Sequence, residues 1–309
     1  MQAERLFQQV LEVRRRVLGP EHRYTFLSII SLAAVYEREG KYAQAETLNK
    51  QVLEVQGRIL GPEHPDTLAS INNLAVVYSD DGKYAQAETL DRQVLGVRRR
   101  TLGPEHPSTL ISMSNLADDY AEEGEYAQAE MLFNQTLEIV RRVEGPEHPD
   151  TLQVLSEFAG MYQRRNNYAL AQKYAAAALA GRRSSLGSED PDTMASAADL
   201  ALAYVSERKF AESEPLAREA METGQRKQAD DWQRFRAESL LGDSLAGQKK
   251  YAEAEPLLLE GYQGMLDRKD RIGAPDRYHL QLAHQWLVQL YKDWGKPQKA
   301  AEMAKEVEQ

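Results

Sequence analysis

A nine-residue segment recurs along this chain at a fixed interval. Residues 60–68 read Leu-Gly-Pro-Glu-His-Pro-Asp-Thr-Leu, nearly the same letters return at 102–110 and 144–152, and partial copies begin at Leu18 and Leu186. The glycine falls at positions 19, 61, 103, 145 and 187, which gives a period of 42 residues. Such a period is typical of a solenoid, in which one helical unit is stacked many times and no copy buries its apolar face alone. An active site enclosed within one compact core is therefore not expected.

Residues 61–102 show how one repeat is built. Gly61 can adopt a left-handed conformation that ends the preceding helix, and Pro65 suits the first turn of the next one, where a missing N–H costs nothing. Two amphipathic helices follow, separated by the breaker Asp81-Gly82-Lys83. The first carries its apolar stripe at Leu68, Ile71, Leu74, Ala75 and Tyr78, and the second at Tyr84, Ala87, Leu90, Val94, Leu95 and Val97. The unit is therefore predicted to be a pair of antiparallel helices.

Three short motifs in this copy resemble the tetratricopeptide repeat (TPR) consensus: Asn73-Leu-Ala-x-x-Tyr78, Gly82-Lys-Tyr84 and Ala87-Glu-x-Leu90. The 42-residue period and its linker are similar to those of kinesin light chains and nephrocystin-like arrays. The second-helix signature Tyr-Ala-Gln-Ala-Glu starts at residues 42, 84 and 126 and continues in variant form at 168, 210, 251 and 297. The resemblance implies an all-α TPR solenoid, a right-handed superhelix of antiparallel helix pairs.

The whole chain, 1–309, is predicted to be a single TPR array. Residues 1–18 match a second helix without its first helix, and the repeats then span about 23–60, 65–102, 107–144, 149–186, 191–228, 230–268 and 276–309. The first helix would expose Leu6, Phe7, Val10 and Leu11, so the chain is either a fragment or is covered there by another chain. Leu6, Phe7 and Val10 are accordingly expected to contact a second copy or a parent chain. The last helix is expected to end the array with a solvated face, made by Lys299, Glu302, Lys305, Glu306 and Glu308.

Residues 247–259 and 287–297 resemble the C-terminal ends of bacterial Ser/Thr protein kinases that carry TPR tails. The chain has no kinase glycine loop, catalytic loop or magnesium-binding motif, and no Gly-x-Ser-x-Gly, His-Glu-x-x-His or Walker-type loop. We therefore expect no enzyme activity and no cofactor. The resemblance implies the recognition tail of a larger signalling protein, a kinase or an NTPase. We expect a cytoplasmic chain, with an extracytoplasmic tail of a membrane-anchored protein as the alternative.

Composition narrows the class of partner. The formal charge is −10, so phosphate backbones and anionic membrane surfaces are poor partners, and a neutral-to-basic protein or peptide fits better. The same charge also serves ordinary solubility. The absence of cysteine excludes disulfides, a thiolate nucleophile and a zinc-thiolate site.

Several side chains invite a chemical interpretation. Histidines recur in four linkers, at residues 22, 64, 106 and 148. Two roles compete for them: a row of metal ligands, or hydrogen bonding at the starts of helices. A spacing between repeats on the order of 10 Å is too long for ligands of one metal ion and disfavours the first role. Arginine clusters at 14–16, 98–100, 141–142 and 182–183 are expected to face the negative ends of second helices, with a phosphate-reading ridge as the alternative. Carboxylate pairs, among them Asp118-Asp119, are expected to be solvated.

The resemblance places the partner in a concave groove lined by the first helix of each repeat. The predicted groove residues are Asn72, Asn73, Val76, Ser79, Ser114, Asn115, Asp118, Ser156, Gln163, Asp243, Gln285 and Gln289. Asn72 and Ser114 stand where chaperone-binding TPRs carry a lysine, so the clamp for a terminal carboxylate is absent. Amide side chains and shallow apolar contacts suit an extended or helical peptide with basic side chains. The alternatives are an empty groove and one occupied by the parent chain.

Overall fold

The computed structural model describes residues 2–305, with side chains from residue 4 onward. That part of the chain is helical and contains no strand. The helices are α1 (Gln2–Leu18), α2 (Arg23–Arg38), α3 (Tyr42–Ile59), α4 (Pro65–Asp80), α5 (Tyr84–Thr101), α6 (Pro107–Glu122), α7 (Tyr126–Val143), α8 (Pro149–Arg164), α9 (Tyr168–Ser185), α10 (Pro191–Ser206), α11 (Phe210–Lys227), α12 (Trp232–Gly247), α13 (Tyr251–Leu266), α14 (Tyr278–Asp293) and α15 (Pro297–Lys305). Two short 3₁₀ turns, Lys269–Arg271 and Ala274–Asp276, lie between α13 and α14. Glu306 and Glu308, assigned above to the solvated end, lie outside the described residues.

The helices alternate in two roles. We call the even-numbered helices α2 to α14 the A helices and the odd-numbered helices α3 to α15 the B helices. The chain divides into two compact units. Unit 1 comprises the residues up to Ala129 together with Asp270–Pro275; unit 2 comprises Glu130–Lys269 and the residues from Asp276 onward. None of the described helices combines the length and apolarity that a bilayer crossing requires.

The linkers start and stop helices as the sequence predicts. Gly61 has φ +93°, the left-handed conformation that ends a helix without the strain of a Cβ. Pro65 occupies the first turn of α4, and the His64 Nδ1 accepts the Asp66 N–H at 3.2 Å, which caps the helix. The other three linker histidines cap in the same way at 3.1–3.3 Å, and Asp190 does so at 2.9 Å. The expected hydrogen-bonding role of these histidines is confirmed.

Each unit buries its own apolar stripe. In unit 1, Leu68 and Ile71 of α4 pack with Val94 of α5. Unit 2 contains a stack of aromatic rings in which Phe158 lies 5.2 Å from Phe133 and 4.4 Å from Tyr174, measured between ring centroids. Such offset contacts fill the space between helices of neighbouring pairs.

The first helix is less exposed than predicted. Leu11 is only 5% exposed because it packs into the cluster around Ile29, and Phe7 is half-buried against the same cluster. The expectation that Leu11 would face solvent is wrong, since α2 and α3 cover that side of α1.

Within unit 2 the A helices lie closer to one another than the B helices do. α8 contacts α10, α10 contacts α12, and α12 contacts α14, whereas α9, α11 and α13 have no comparable contacts among themselves. A stack that is tighter on one side curves toward that side. The A helices of unit 2 therefore line its concave surface, the arrangement that the sequence predicts for a partner groove.

Candidate binding face of the A helices

In three of the arginine clusters, one arginine of the cluster joins successive helix pairs. Arg98 of α5 is 9% exposed, and its guanidinium donates to the Ser112 Oγ at 2.7 Å and the Ser108 carbonyl oxygen at 3.0 Å, both on α6. Arg182, two periods later, is 6% exposed and donates to the Ser196 Oγ of α10 at 2.6 Å. Arg14 reaches the Ser28 Oγ at 2.7 Å in the same register. Arg98 and Arg182 lie in the last turns of α5 and α9 as expected, and their guanidinium groups are in addition enclosed between pairs.

Two of the predicted groove residues belong to this arginine network. The Asn72 Oδ1 accepts from the Arg98 Nη1 at 3.4 Å, and the Ser156 Oγ accepts from the Arg182 Nη1 at 3.0 Å. Their polar atoms therefore support the stacking of repeats at the edge of the A face. A substitution at either position would perturb stability together with any binding.

The remaining arginines of the clusters lie on the surface, and two of them form ion pairs between repeats. Arg100 pairs with Glu63 at 2.5 Å, and Arg183 pairs with Glu219. Pairing with carboxylates lowers the positive potential available to a phosphate, which weakens the hypothesis of a phosphate-reading ridge.

In unit 1 the predicted groove residues follow α4 and α6. Val76 is 38% exposed, whereas Ser114 is 5% exposed with its Oγ left without a hydrogen-bond partner. The side chains of intermediate exposure are Asn73, Ser79, Asn115 and Asp118. This face offers amides, a hydroxyl, a carboxylate and one apolar contact, a set that suits the main chain and side chains of a peptide.

A buried carboxyl pair lies behind this face. Asp91 of α5 and Asp119 of α6 are each 2% exposed and hydrogen-bond to each other. Burial raises the pKa of Asp119 to about 9, helped by the charge of Asp91, and burial raises the pKa of Asp91 to about 7 against the opposing effect of Arg98. The expectation that Asp119 is solvated is wrong, because α5 covers it.

In unit 2 polar side chains connect neighbouring A helices. The Gln163 Nε2 of α8 donates to the Ser206 Oγ of α10 at 2.7 Å. Arg236 of α12 donates to the Asp199 Oδ1 of α10 at 2.6 Å, with the arginine side chain 8% exposed and the carboxylate 31% exposed. Both bridges lie on the concave side of this unit.

Asp243 lies further along α12 on the same side. Burial raises its pKa to about 7, with Arg208 lowering it and Asp293 raising it. Gln285 and Gln289 of α14 are exposed, and the Gln289 Nε2 donates to the Asp293 Oδ1 at 2.7 Å. This part of the face therefore holds a carboxyl group that changes charge near neutral pH.

The sequence reasoning missed three charged residues of the concave face. Asp199 stands two periods after the predicted groove residue Asn115, so extending the 42-residue register would have found it; Arg164 stands two periods after Asp80, which is not a predicted groove position. Asp276 precedes α14, and its pKa is raised by burial and lowered by Arg236. Its position in a lengthened junction gave no such signal.

The exposed apolar side chains of α1 form a second candidate face. Leu6 is 55% exposed, Val10 41%, Val13 50% and Val17 66%. Steps of four, three and four residues place them on one side of the helix.

One linker also brings three metal-ligating groups together. Ligand atoms of Glu144, His148 and Asp150 lie within 4.8 Å of one another. The His148 Nδ1 lies 2.6 Å from the Glu144 Oε2 and 3.3 Å from the Asp150 backbone nitrogen, so the nitrogen nearest the carboxylates already has partners within the linker.

The chain is similar to one protein family and to several solved structures. The profile of the tetratricopeptide repeat family matches residues 1–56, 24–100, 66–142, 112–184 and 150–226. Among solved structures, the chain is similar to a putative kinesin light chain with nearly identical TPR-like repeats from Podosopora anserina, at 31% identity over 67% of this chain and 98% of that one, with a TM-score of 0.53. A search among curated proteins found no match.

Two more distant structures share the fold alone. The apo quorum sensor NprR from B. thuringiensis has 15% identity over 99% of this chain and 82% of that one, with a TM-score of 0.67. A Rap protein complexed with Competence and Sporulation Factor has 13% identity over 90% and 76%, with a TM-score of 0.61. The resemblance of residues 247–297 to kinase tails stays a prediction. The repeats, their helix pairs and the matching profile together show that this chain belongs to the tetratricopeptide repeat family and has an all-α TPR solenoid fold.

Proposed function

We propose that this chain is a non-catalytic scaffold that binds a protein or peptide on its A-helix face, as the recognition or regulatory part of a larger signalling protein. The support is chemical. The A helices carry amides, hydroxyls and ionisable groups at positions that face away from the apolar clusters of each pair. A face of this composition can hold a peptide main chain through hydrogen bonds and select its side chains by charge.

The observation that carries the proposal is the buried ion pair between Arg236 and Asp199 on the concave side of unit 2. The pair is 2.6 Å long, and the Arg236 Nε remains buried without a partner. Leaving a buried charged donor incompletely satisfied is unfavourable, although the same guanidinium also connects α12 to α10. Groups held in this way are common at binding sites, where a ligand completes their hydrogen bonds.

The charges of the face favour a neutral-to-basic partner. Asp118 in unit 1 and Asp243 and Asp276 in unit 2 are carboxyl groups on or beside A helices. A cationic side chain near Asp243 would favour its ionised form and gain an ion pair. That a Rap protein of this fold was solved in complex with Competence and Sporulation Factor supports a binding role.

A random peptide library displayed on phage tests the proposal. Peptides selected on the wild-type chain are synthesised, and their affinities are measured for an Asn115→Ala/Asp118→Ala variant and for Asp243→Asn. We expect at least one set of variants to lose about 10-fold or more in affinity, because each removes a direct polar contact worth about 1.4 kcal/mol.

The matched control is Lys173→Ala. Lys173 lines a cleft between the B helices α7 and α9 together with Arg141 and Glu138. Selected peptides that lose affinity only for the Lys173 variant would move recognition to the B-helix face and refute the proposal. A library that yields no binder would refute it as well.

The stripe on α1 favours a second function, self-assembly through a second copy of the chain. Four exposed apolar side chains at residues 6, 10, 13 and 17 give a continuous seam of the kind that pairs helices. Sedimentation equilibrium of the wild type and of Leu6→Glu/Val13→Glu tests this idea. We expect the wild type to sediment as a dimer and the variant as a monomer. A wild type that sediments as a monomer at about 100 μM would refute self-assembly through this stripe.

A further inference from the structure

The junction between α13 and α14 departs from the repeat. Elsewhere a B helix and the next A helix are separated by short linkers such as residues 60–64 and 102–106, whereas this junction runs from residue 267 to residue 277. It contains the two 3₁₀ turns, and its segment Asp270–Pro275 is part of unit 1. A linker that serves only to connect two helices needs no such insertion. The additional residues therefore call for another explanation.

The segment packs against the turns that follow α2 and α4. A Cβ built on Gly40 would lie 1.6 Å from the Asp270 carbonyl oxygen, so only glycine permits this approach. A Cβ on Gly82, one period later, would lie 3.3 Å from the Ala274 Cβ. Gly273 of the segment also lies close to α4, since a Cβ there would lie 2.9 Å from the Asp80 Oδ1. Main chain and small side chains thus meet two equivalent turns of successive repeats.

One aliphatic side chain anchors the segment. Ile272 is completely buried, although it belongs to a connection between helices. The apolar clusters centred on Ile29, Ile71 and Leu74 in unit 1 do not include it. Those clusters are formed by side chains of α1 to α5.

Two carboxyl groups lie on the helices beside these turns, while Lys41 and Lys83 within the turns pair with Glu39 and Asp81. Glu37 lies near the end of α2 and Asp80 at the end of α4. Burial and the charge of Asp80 together raise the pKa of Glu37 to about 7, against the opposing effect of Arg38.

We propose that the surface formed by the turns after α2 and α4, around Gly40, Asp80 and Gly82, recognises a short segment that brings its main chain and small side chains against these turns and carries one buried aliphatic side chain. Asp270–Pro275 occupies this surface in cis and competes with an external partner of the same chemistry. The second statement rests on the proposed scaffold function, whereas the first concerns this chain alone.

The test uses the whole chain and a fluorescein-labelled peptide of residues 268–277. Ile272→Asp removes the anchor in cis and leaves the receiving turns unchanged. An intramolecular segment acts as a competitor at millimolar effective concentration, so the wild type should bind the peptide at least 10-fold more weakly than the variant by fluorescence anisotropy. Equal affinities in two folded proteins would overturn the proposal. If Ile272→Asp does not fold, replacing residues 270–275 by a Gly-Ser linker of equal length serves the same purpose.

A glycine pair supplies the matched control for the position of the surface. Gly40 and Gly124 end equivalent turns, with φ +70° and +81°, but a Cβ on Gly124 would meet nothing within 4 Å. Both alanine substitutions strain the backbone alike, and only Gly40→Ala obstructs the segment. In the Ile272→Asp background, peptide binding should be lost with Gly40→Ala and kept with Gly124→Ala. Equal effects of the two substitutions would place the peptide elsewhere and overturn the proposal.

The library-selected peptides separate this inference from the scaffold function. Peptides that bind wild type and Ile272→Asp equally would refute competition in cis while leaving the scaffold function intact. A library without binders, together with binding of the 268–277 peptide to Ile272→Asp, would support recognition by the turns and refute the scaffold function.

Discussion

Replacing Asp119 by asparagine is expected to stabilise the protein, and increasingly so as the pH rises. Asp119 and Asp91 are each 2% exposed and share a hydrogen bond, so one carboxyl group must keep its proton for the pair to remain buried. Burial raises the pKa of Asp119 from 3.8 to about 9, with further increases from Asp91, Glu123 and Glu88. An asparagine of similar volume donates its amide N–H to Asp91 without needing a proton from solvent.

The sign of the pH dependence follows from linkage. The pKa of Asp119 is higher in the folded than in the unfolded state, so the folded state binds more protons and the free energy of unfolding falls as the pH rises from about 4 to about 9. Each pKa unit corresponds to about 1.4 kcal/mol, and holding the proton at pH 7 therefore costs about 4 kcal/mol. Since the charge on Asp91 and local relaxation reduce this penalty, we expect Asp119→Asn to raise the free energy of unfolding by about 2–4 kcal/mol at pH 8.

Urea unfolding at pH 5, 7 and 9, followed by circular dichroism at 222 nm, measures this effect. Glu54→Gln on the exposed side of α3 is the matched control, because it removes the same charge from the same unit. The free energy of unfolding of Asp119→Asn should exceed that of the wild type by a margin that grows as the pH rises. The free energy of unfolding of the control should stay within about 0.5 kcal/mol of the wild-type value. A wild type whose stability is constant from pH 5 to pH 9, or an asparagine variant less stable at pH 8, would refute the reasoning.

Three further predictions concern the repeat junctions and the concave face. Arg182→Met should lower the free energy of unfolding by about 2–4 kcal/mol, because the acceptors of a guanidinium that is 6% exposed lose their donor. Urea unfolding measures this change, and a loss below about 0.5 kcal/mol would show that the network is dispensable. His64→Ala should cost about 1 kcal/mol and His64→Asp much less, since Asp190 caps the equivalent helix; equal losses in thermal melts would exclude capping as the cause. Asp243→Asn should raise the melting temperature more at pH 8 than at pH 4, because the folded-state pKa is raised to about 7; a gain that is independent of pH would contradict this assignment.

The sequence reasoning was sound where signals are local and failed where helices meet. Gly61, Pro65 and His64 act within a few residues of one another, so their roles in ending and capping helices could be derived from the linker alone. The sequence predicts a solvated Asp119 near a helix end, because nothing in its own helix indicates that α5 covers it. It also predicts Arg98 and Arg182 in the last turns of their helices, but only the packing of helix pairs shows which guanidinium of each cluster points into the junction.

By itself the sequence determined the repeat, the helix pairs, their boundaries and the family, because a 42-residue period with local start and stop signals specifies one stacked unit. Only the tertiary structure decided which polar groups are enclosed between pairs and which face the concave side of unit 2. It alone placed Asp270–Pro275 against the turns of Gly40 and Gly82. That contact joins residues far apart in the chain and lies outside the repeat, so no periodic pattern encodes it.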